Sequence, residues 1–211
     1  MSKPTIAAII IGIDGLEKFT EPLVRSILEH EPNCQPLLID NASAEIYPIN
    51  AWTFTTPRLC YSAAINYGKQ CLDQHFGEFD WYIVLSNDVL CTGPFADVLA
   101  GYGDDEVVGP LLKEVQLGKT TFPYLEGWCV CTSARMWKLT NGWDSKFVGS
   151  SWEDVSHSTD ARLNGGTLIE DADLPFIHLD QRQRFHVIPD YWSTENANIH
   201  YFANKYRELI G

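Results

Sequence analysis

The sequence predicts one α/β domain spanning residues 1–211, an open and mostly parallel central sheet flanked by helices. Three observations carry that prediction. Apolar runs such as TIAAIII (5–11) and WYIVL (81–85) lack polar alternation, the pattern of strands buried on both faces. Segments with helical spacing stand between such runs, so the first half reads strand, helix, strand, helix, strand. Asp14, Asp40 and Asp88 each fall just after an apolar run, at the strand ends where sheets of this kind hold ligands.

TIAAIII is rich in β-branched residues and suits a central strand, with Gly12 to Glu17 as the loop after it. Thr20 is the candidate N-cap of a helix in which Leu23, Val24, Ile27 and Leu28 recur at helical spacing up to His30. QPLLIDNAS gives a second strand ending at Asp40, with Asn41 and Ser43 in a turn, and AWTFTT a third. Tyr61, Ala64, Ile65, Gly68, Cys71, Leu72 and Phe76 trace one face of a helix of about four turns. The run from Trp81 to Leu85 stops on Ser86-Asn87-Asp88; PFADVLAGY follows as a short helix and EVVGPLL as a strand.

The second half is less regular. YLEGWCVCT alternates as a strand, and SARMWKL is a short helix stopped by Asn141-Gly142. A helix from about Ser151 to Leu163 ends at Asn164-Gly165-Gly166. TLIE and LPFIHLD read as short strands, and Ile199, Phe202, Ala203, Tyr206 and Leu209 mark an amphipathic closing helix.

A formal net charge of −13 argues against an extended nucleic-acid surface or an anionic membrane, because both rest on clustered Lys and Arg. Arg182 and Arg184, near His178 and His186, come nearest to a basic cluster and read as a solvated patch. The run Ile6 to Ile11 is too short and too poorly flanked for a signal peptide, and no stretch approaches a membrane span. A cytoplasmic location is expected. The six cysteines form no Cys-x-x-Cys pair and mostly sit in apolar segments, so reduced thiols are expected rather than zinc or disulfides.

Ser86-Asn87-Asp88 poses the chemical question: a carboxylate closing a buried strand suggests a ligand. Acids on one rim suit a divalent cation, since hard cations prefer carboxylate oxygen. A Gly-Lys-Ser/Thr P-loop, a Gly-x-Gly-x-x-Gly turn and a Gly-x-Ser-x-Gly elbow are all absent, which disfavours a P-loop ATPase, a dinucleotide enzyme and a serine hydrolase. Trp152-Glu153-Asp154 is a second acidic spot after the loop VGSS. Its plain reading is charge at a helix start; its functional reading is a base for an acceptor hydroxyl.

The ordered set of segments resembles a family 2 glycosyltransferase, a nucleotide-diphospho-sugar transferase of the GT-A, Rossmann-like fold. IAAIIIGIDGLEKFTEPLVRSILEH is similar to the family's first strand and loop, LLIDNAS to its Asp-Asn-x-Ser signature, and YSAAINYGKQCL to its Ala-x-Asn-x-Gly helix. VLSNDVL resembles the metal motif, and NGWDSKF, WEDV and ARLNGG echo its Gly-Gly-Phe-Asp, Glu-Asp and Arg-Leu-x-x-x-Gly pieces. The resemblance runs from about residue 5 to about 180. It implies a donor-binding half over about 1–110, an acceptor and catalytic half over about 111–180, and an extension over about 181–211.

The resemblance implies inverting transfer of a sugar from a nucleotide-sugar donor to an acceptor hydroxyl, with Mn²⁺ or Mg²⁺. Asp40 would meet the nucleoside base, with Gly12, Ile13 and Asp14 beside it and Asn66 on the same donor side. Asn87 would face the ribose or the metal, and Asp88 would ligate the metal. His178 stands where some relatives place a further metal ligand, against the plainer reading of a structural histidine. Asp154, with Glu153 beside it, would be the general base. Trp128, Trp152 and Glu126 are candidate acceptor contacts, since sugar rings stack on aromatic faces; core filling is the alternative for each tryptophan. One carboxylate in Ser86-Asn87-Asp88 implies modest metal affinity, and Asp14 stands where relatives often have Asn. A non-catalytic nucleotide-sugar-binding or assembly protein of the same fold is the alternative, with a nucleotidyltransferase third for want of a basic triphosphate loop. Donor sugar, base, acceptor and oligomeric state are left open by the sequence.

Overall fold

The computed structural model describes residues 3–44, 47–179 and 191–210. A seven-stranded sheet organises the chain. Its centre is β1 (Ile6–Gly12), between β2 (Gln35–Asn41) and β4 (Trp81–Ser86), both parallel to it. β3 (Trp52–Thr56) adds an outer parallel strand. On the other side β9 (Cys129–Ser133) runs antiparallel to both β4 and β6 (Glu106–Gly109), and β10 (Thr167–Glu170) lies parallel to β6. Only β9 is reversed, so the sheet is mostly parallel.

Alternate residues of β1 enter two cores, which is why the run shows no polar alternation. Ala8 and Ile10 join Leu23, Val24 and Ile27 of α1 (Glu21–His30), with Phe95 and Leu99 around the short α3 (Ala96–Leu99). Ala7, Ile9 and Ile11 join Ala64, Ile65 and Leu72 of α2 (Tyr61–Phe76), together with Met136 and Trp137 of α4 (Ala134–Thr140). Each such aliphatic side chain fully buried contributes about 1.5–3 kcal/mol. All six cysteines are free thiols, and five of them are buried.

Three departures from the sequence reading bear on the site. Thr20 does not cap α1: it closes a π-helical turn over Leu16–Thr20, has helical dihedrals and makes no side-chain cap bond. Its Oγ1 instead accepts a hydrogen bond from Asn87 Nδ2 at 3.2 Å. Second, the chain does not leave the sheet region at Asp88. It turns and resumes as β5 (Val89–Cys91), paired antiparallel with β11 (Phe176–His178) so that Val89 faces His178. Third, a stretch to which the sequence reading assigns no element, between EVVGPLL and YLEGWCVCT, forms most of a hairpin, β7 (Leu112–Leu117) and β8 (Thr120–Leu125), turning at Gly118 with φ +63°. Val115, Leu117, Phe122 and Tyr124 pack on a third core, while Leu112 and Leu125 at its open end reach the core beneath α2.

That third core holds Phe122, Phe147, Val155 of α5 (Glu153–Leu163), Phe202 and Tyr206. Phe202 belongs to α6 (Tyr191–Lys205), and α7 (Arg207–Ile210) follows, so the expected closing helix is interrupted at Tyr206. The Tyr206 hydroxyl bonds Asp160 Oδ1 at 2.8 Å. Arg182, Arg184 and His186 lie outside the described residues. No helix among the described residues is long and apolar enough to cross a membrane.

Gly68 marks where α2 comes closest to the sheet: a Cβ there would stand 2.6 Å from Ile9 Cγ2. Gly68→Ala should therefore destabilise the protein by about 1–3 kcal/mol through overpacking, despite a helix-propensity gain of about 1 kcal/mol. A lower urea midpoint at unchanged slope is the expected result.

Candidate functional site

A cleft of about 800 Å³ opens at the carboxyl ends of β1, β2 and β4, where Ile11, Asn41 and Ser86 reach its wall. Parallel sheets leave their ligand crevice there because the crossover helices occupy the two faces. The other walls come from residues 58–61 before and into α2, from the hairpin β7–β8, from residues 148–155 and from Thr194 and Glu195 of α6.

Asn87 and Asp88 are both buried at the turn after β4. Asn87 Nδ2 donates to the Asp14 carbonyl at 3.0 Å as well as to Thr20, tying this turn to the loop after β1. Asp88 Oδ1 accepts from Ser86 Oγ at 2.7 Å and lies 3.2 Å from His178 Nε2. The β5–β11 pairing delivers that contact, and Leu179 N donates to the Asp88 carbonyl at 2.8 Å. The His178 ring stacks on Trp128, with centroids 5.1 Å apart and an interplanar angle of 5°. Trp128 Nε1 donates to Glu126 Oε2 at 2.9 Å, and Lys113 pairs with the other Glu126 oxygen. A continuous chain of contacts thus runs from Asp88 to the hairpin.

The second acidic group opens α5. Trp152 precedes it in the left-handed region, φ 68°, which costs a bulky residue about 1–3 kcal/mol and turns the chain sharply into the helix. Asp154 Oδ1 accepts from Val155 N at 2.8 Å and Oδ2 from Gly127 N at 3.1 Å. A Cβ on Gly127 would sit 3.3 Å from Asp154 Cβ, so this approach suits glycine. The buried Glu153 accepts from Ser150 Oγ at 3.2 Å. Tyr61 closes the group: its hydroxyl donates to the Gly127 carbonyl at 3.1 Å. Burial pushes the Tyr61 phenol well up, and the charges of Glu153, Asp88 and Asp154 push it further, so it stays a neutral donor.

Of the residues singled out in the sequence, Ile13, Asn87, Asp88, Glu126, Trp128, Trp152, Glu153, Asp154 and His178 line this one cleft. Gly12, Asp14, Asp40 and Asn66 do not. Asp40 accepts from Ser43 N at 3.0 Å and Thr55 Oγ1 at 3.4 Å, and Asp14 Oδ1 from Ala44 N at 2.7 Å, so both carboxylates staple the loop after β2. Asn66 Nδ2 donates to the Trp143 carbonyl at 2.6 Å and its Oδ1 accepts from Trp143 N at 3.0 Å, fastening the segment before α5. Sequence reasoning missed Asn41, Tyr61, Lys113, Thr194 and Glu195 as cleft residues. Asn41 exchanges bonds with the Leu59 peptide, Leu59 N to Oδ1 at 2.7 Å and Nδ2 to Leu59 O at 3.0 Å, and so holds the 58–61 wall. Tyr61 read only as the first apolar residue of a helix.

No group of three or more His, Cys, Asp or Glu side chains capable of holding a metal is found among the described residues. Asp88 and His178 offer a two-donor set instead, one carboxylate oxygen and one imidazole nitrogen, inside the cleft. His178 Nδ1 is buried and has no hydrogen-bond partner among the described residues. This pair could contribute two ligands to a divalent cation, the imidazole suiting a transition metal rather than Mg²⁺, which takes oxygen ligands.

No protein-family model and no curated protein sequence matches the chain. Its fold is the GT-A fold of nucleotide-sugar transferases, as comparison with solved structures shows. GalNAc-T7, solved with UDP, GalNAc and Mn²⁺, superposes with a TM-score of 0.76 at 12% identity, over 96% of this chain and 48% of that one. The mannosyltransferase PcManGT from Pyrobaculum calidifontis, solved with GDP-Man and Mn²⁺, gives 0.62 at 14%, over 88% and 60%. TarS 1–349 of S. aureus gives 0.61 at 13%, over 86% and 62%. The chain therefore spans about half to three-fifths of the length of these neighbours.

His157 of α5 is buried, stacked on Trp143 with centroids 4.4 Å apart. Burial lowers its pKa from 6.5 to about 4, so it is neutral at pH 7. Because the folded value lies below the unfolded one, its contribution is complete above pH 6.5 and is lost as pH falls towards 4. Stability should fall by up to about 1.4 kcal/mol per pH unit across that window from this group alone. Urea titrations at several pH values should show that increment missing in His157→Gln.

Proposed function

We propose that this protein is an inverting glycosyltransferase, moving a sugar from a nucleotide-diphospho-sugar to an acceptor hydroxyl. The observation that carries the reading is the convergence, in one cleft of a GT-A fold, of the Asp88–His178 pair with the Asp154 carboxylate. The Mn²⁺, UDP and GDP-Man of the neighbouring structures support the choice of donor class.

On this reading Ile13, with the loops stapled by Asp14 and Asp40 near Gly12, forms the nucleoside side. Asn87 orients the donor, and Asp88 and His178 would hold a divalent cation such as Mn²⁺. That cation, when bound, neutralises charge on the departing diphosphate. Asp154 takes the proton of the acceptor hydroxyl, its carboxylate aimed by the Gly127 and Val155 N–H groups. The acceptor oxygen bonds the anomeric carbon as the bond from that carbon to the phosphate oxygen breaks. Attack from the face opposite the leaving nucleoside diphosphate inverts the centre. Glu153 sets the charge beside the base, Trp128 and Trp152 offer aromatic faces and Glu126 a carboxylate to the acceptor, and Asn66 positions the segment before α5.

A thermal-shift panel of UDP-, GDP-, CDP- and dTDP-sugars, with and without Mn²⁺, tests the donor. One nucleotide class should stabilise the wild type, by about 2.7 kcal/mol at a hundred times Kd, and Asp88→Ala should lose the metal-dependent part. A panel with no shift at all would defeat the reading. Asp154→Asn should keep donor binding while turnover falls about 10²–10⁴-fold. A wild type that binds donor and turns none over would be a binding protein.

A further inference from the structure

The C-terminal extension resembles nothing in the sequence patterns above, yet it forms part of the cleft: Thr194 and Glu195 of α6 line it beside residues 148–155. One turn along the helix, Asn198 is buried to 1% exposure. Its Oδ1 accepts from Val148 N at 2.9 Å. Its Nδ2 donates to the Val148 carbonyl at 2.8 Å, the Ser151 carbonyl at 2.9 Å and Ser151 Oγ at 3.1 Å. An Asn amide has one acceptor oxygen and two N–H donors, and all of it is directed at Val148 and Ser151, the two ends of one loop segment.

Docking of α6 does not require this amide. Phe202 packs on Phe122 at 5.0 Å between ring centroids, and Lys205 Nζ reaches Asp144 Oδ2 at 2.9 Å and Asp160 Oδ2 at 2.8 Å. An apolar residue at 198 could fill the same space but would leave the Val148 and Ser151 backbone groups without these partners; a buried amide engaging loop backbone selects a single loop conformation. That loop is also held from the other side, where Tyr61 N donates to the Gly149 carbonyl at 2.9 Å. It leads directly into Trp152, Glu153 and Asp154, and Trp152 lies 5.1 Å from Phe202 between ring centroids.

We infer that Asn198 is a positioning residue for the reaction: it fixes residues 148–151 so that Asp154 meets the cleft in a single orientation. This rests on the glycosyl-transfer reading of the same cleft. Asn198 touches no substrate; it acts through the loop. A displaced base of this kind costs rate far more than donor affinity, since about 1 Å of misplacement can cost about a hundredfold.

The test compares wild type with Asn198→Ala in two measurements. Hydrogen exchange follows amides 148–152 against those of β1 and β4. Release of nucleoside diphosphate, from the donor that stabilises the wild type and with water as acceptor, gives kcat and KM. Expected is exchange about tenfold faster at 148–152 with β1 and β4 still protected, kcat lower by about tenfold or more, and donor KM within about twofold. If Asn198→Ala does not fold, Ser151→Ala removes only the Oγ acceptor and should give the same pattern on a smaller scale. Unchanged exchange at 148–152, an unchanged kcat, or a donor KM that rises as kcat falls would each overturn the inference. A wild type that turns over no donor would defeat the transfer reading instead, and the exchange measurement would still decide whether Asn198 holds the loop.

Discussion

A strand covered on both faces can carry a polar side chain only where that group finds a partner, and along the pairing of β1 with β4 such partners gather where the strands end. From Ile6 opposite Trp81 to Ile10 opposite Leu85 every side chain is buried. The first polar groups to follow are those of Ser86, Asn87 and Asp88, and each finds a partner: Ser86 in Asp88, Asn87 in Asp14 and Thr20, Asp88 in His178. Leaving one such group unsatisfied would cost about 1–3 kcal/mol. The loop after β1, the start of α1 and the β5–β11 pair are thus all fastened to one turn, and the cleft opens directly over it.

The second half of the chain answers with a separate core. The hairpin, α5 and α6 meet around Phe122, Phe147 and Phe202, and their polar contacts gather on Lys205, which bridges Asp144 and Asp160. Burial works against the Lys205 charge, but the hydrogen bonds and charges of Asp160 and Asp144 outweigh it and raise its pKa. Asp154 depends on both halves: its helix belongs to the second core, while Gly127, which bonds it, is held by Tyr61 at the start of α2.

Most of the parallel half was legible because its signals are local. Buried strands read as apolar runs, and α2 declared itself over sixteen residues by period alone. The hairpin was not legible, since LKEVQL sets Lys113 and Glu114 side by side and buries none of its six residues fully. Much of the cleft lining could be picked out as acids and aromatics after strands or before a helix. Asn198 and Tyr61 could not. Their importance comes from partners 47 and 66 residues away in sequence, Ser151 and Gly127, and no local pattern encodes such a pairing. Asp40 and Asn66 illustrate the converse: residue types suited to a ligand whose hydrogen bonds instead hold loops.

The distribution of thiols gives the cleft a practical handle. Five of the six cysteines are shut inside the two large cores, and Cys60, at the start of α2, lies on the cleft wall. Burial raises the Cys60 thiol above its ordinary value, so it reacts slowly near neutral pH and faster in mild alkali. A maleimide dye used in that range would label the native protein at one position, converting the cleft into a fluorescence reporter with no engineered cysteine.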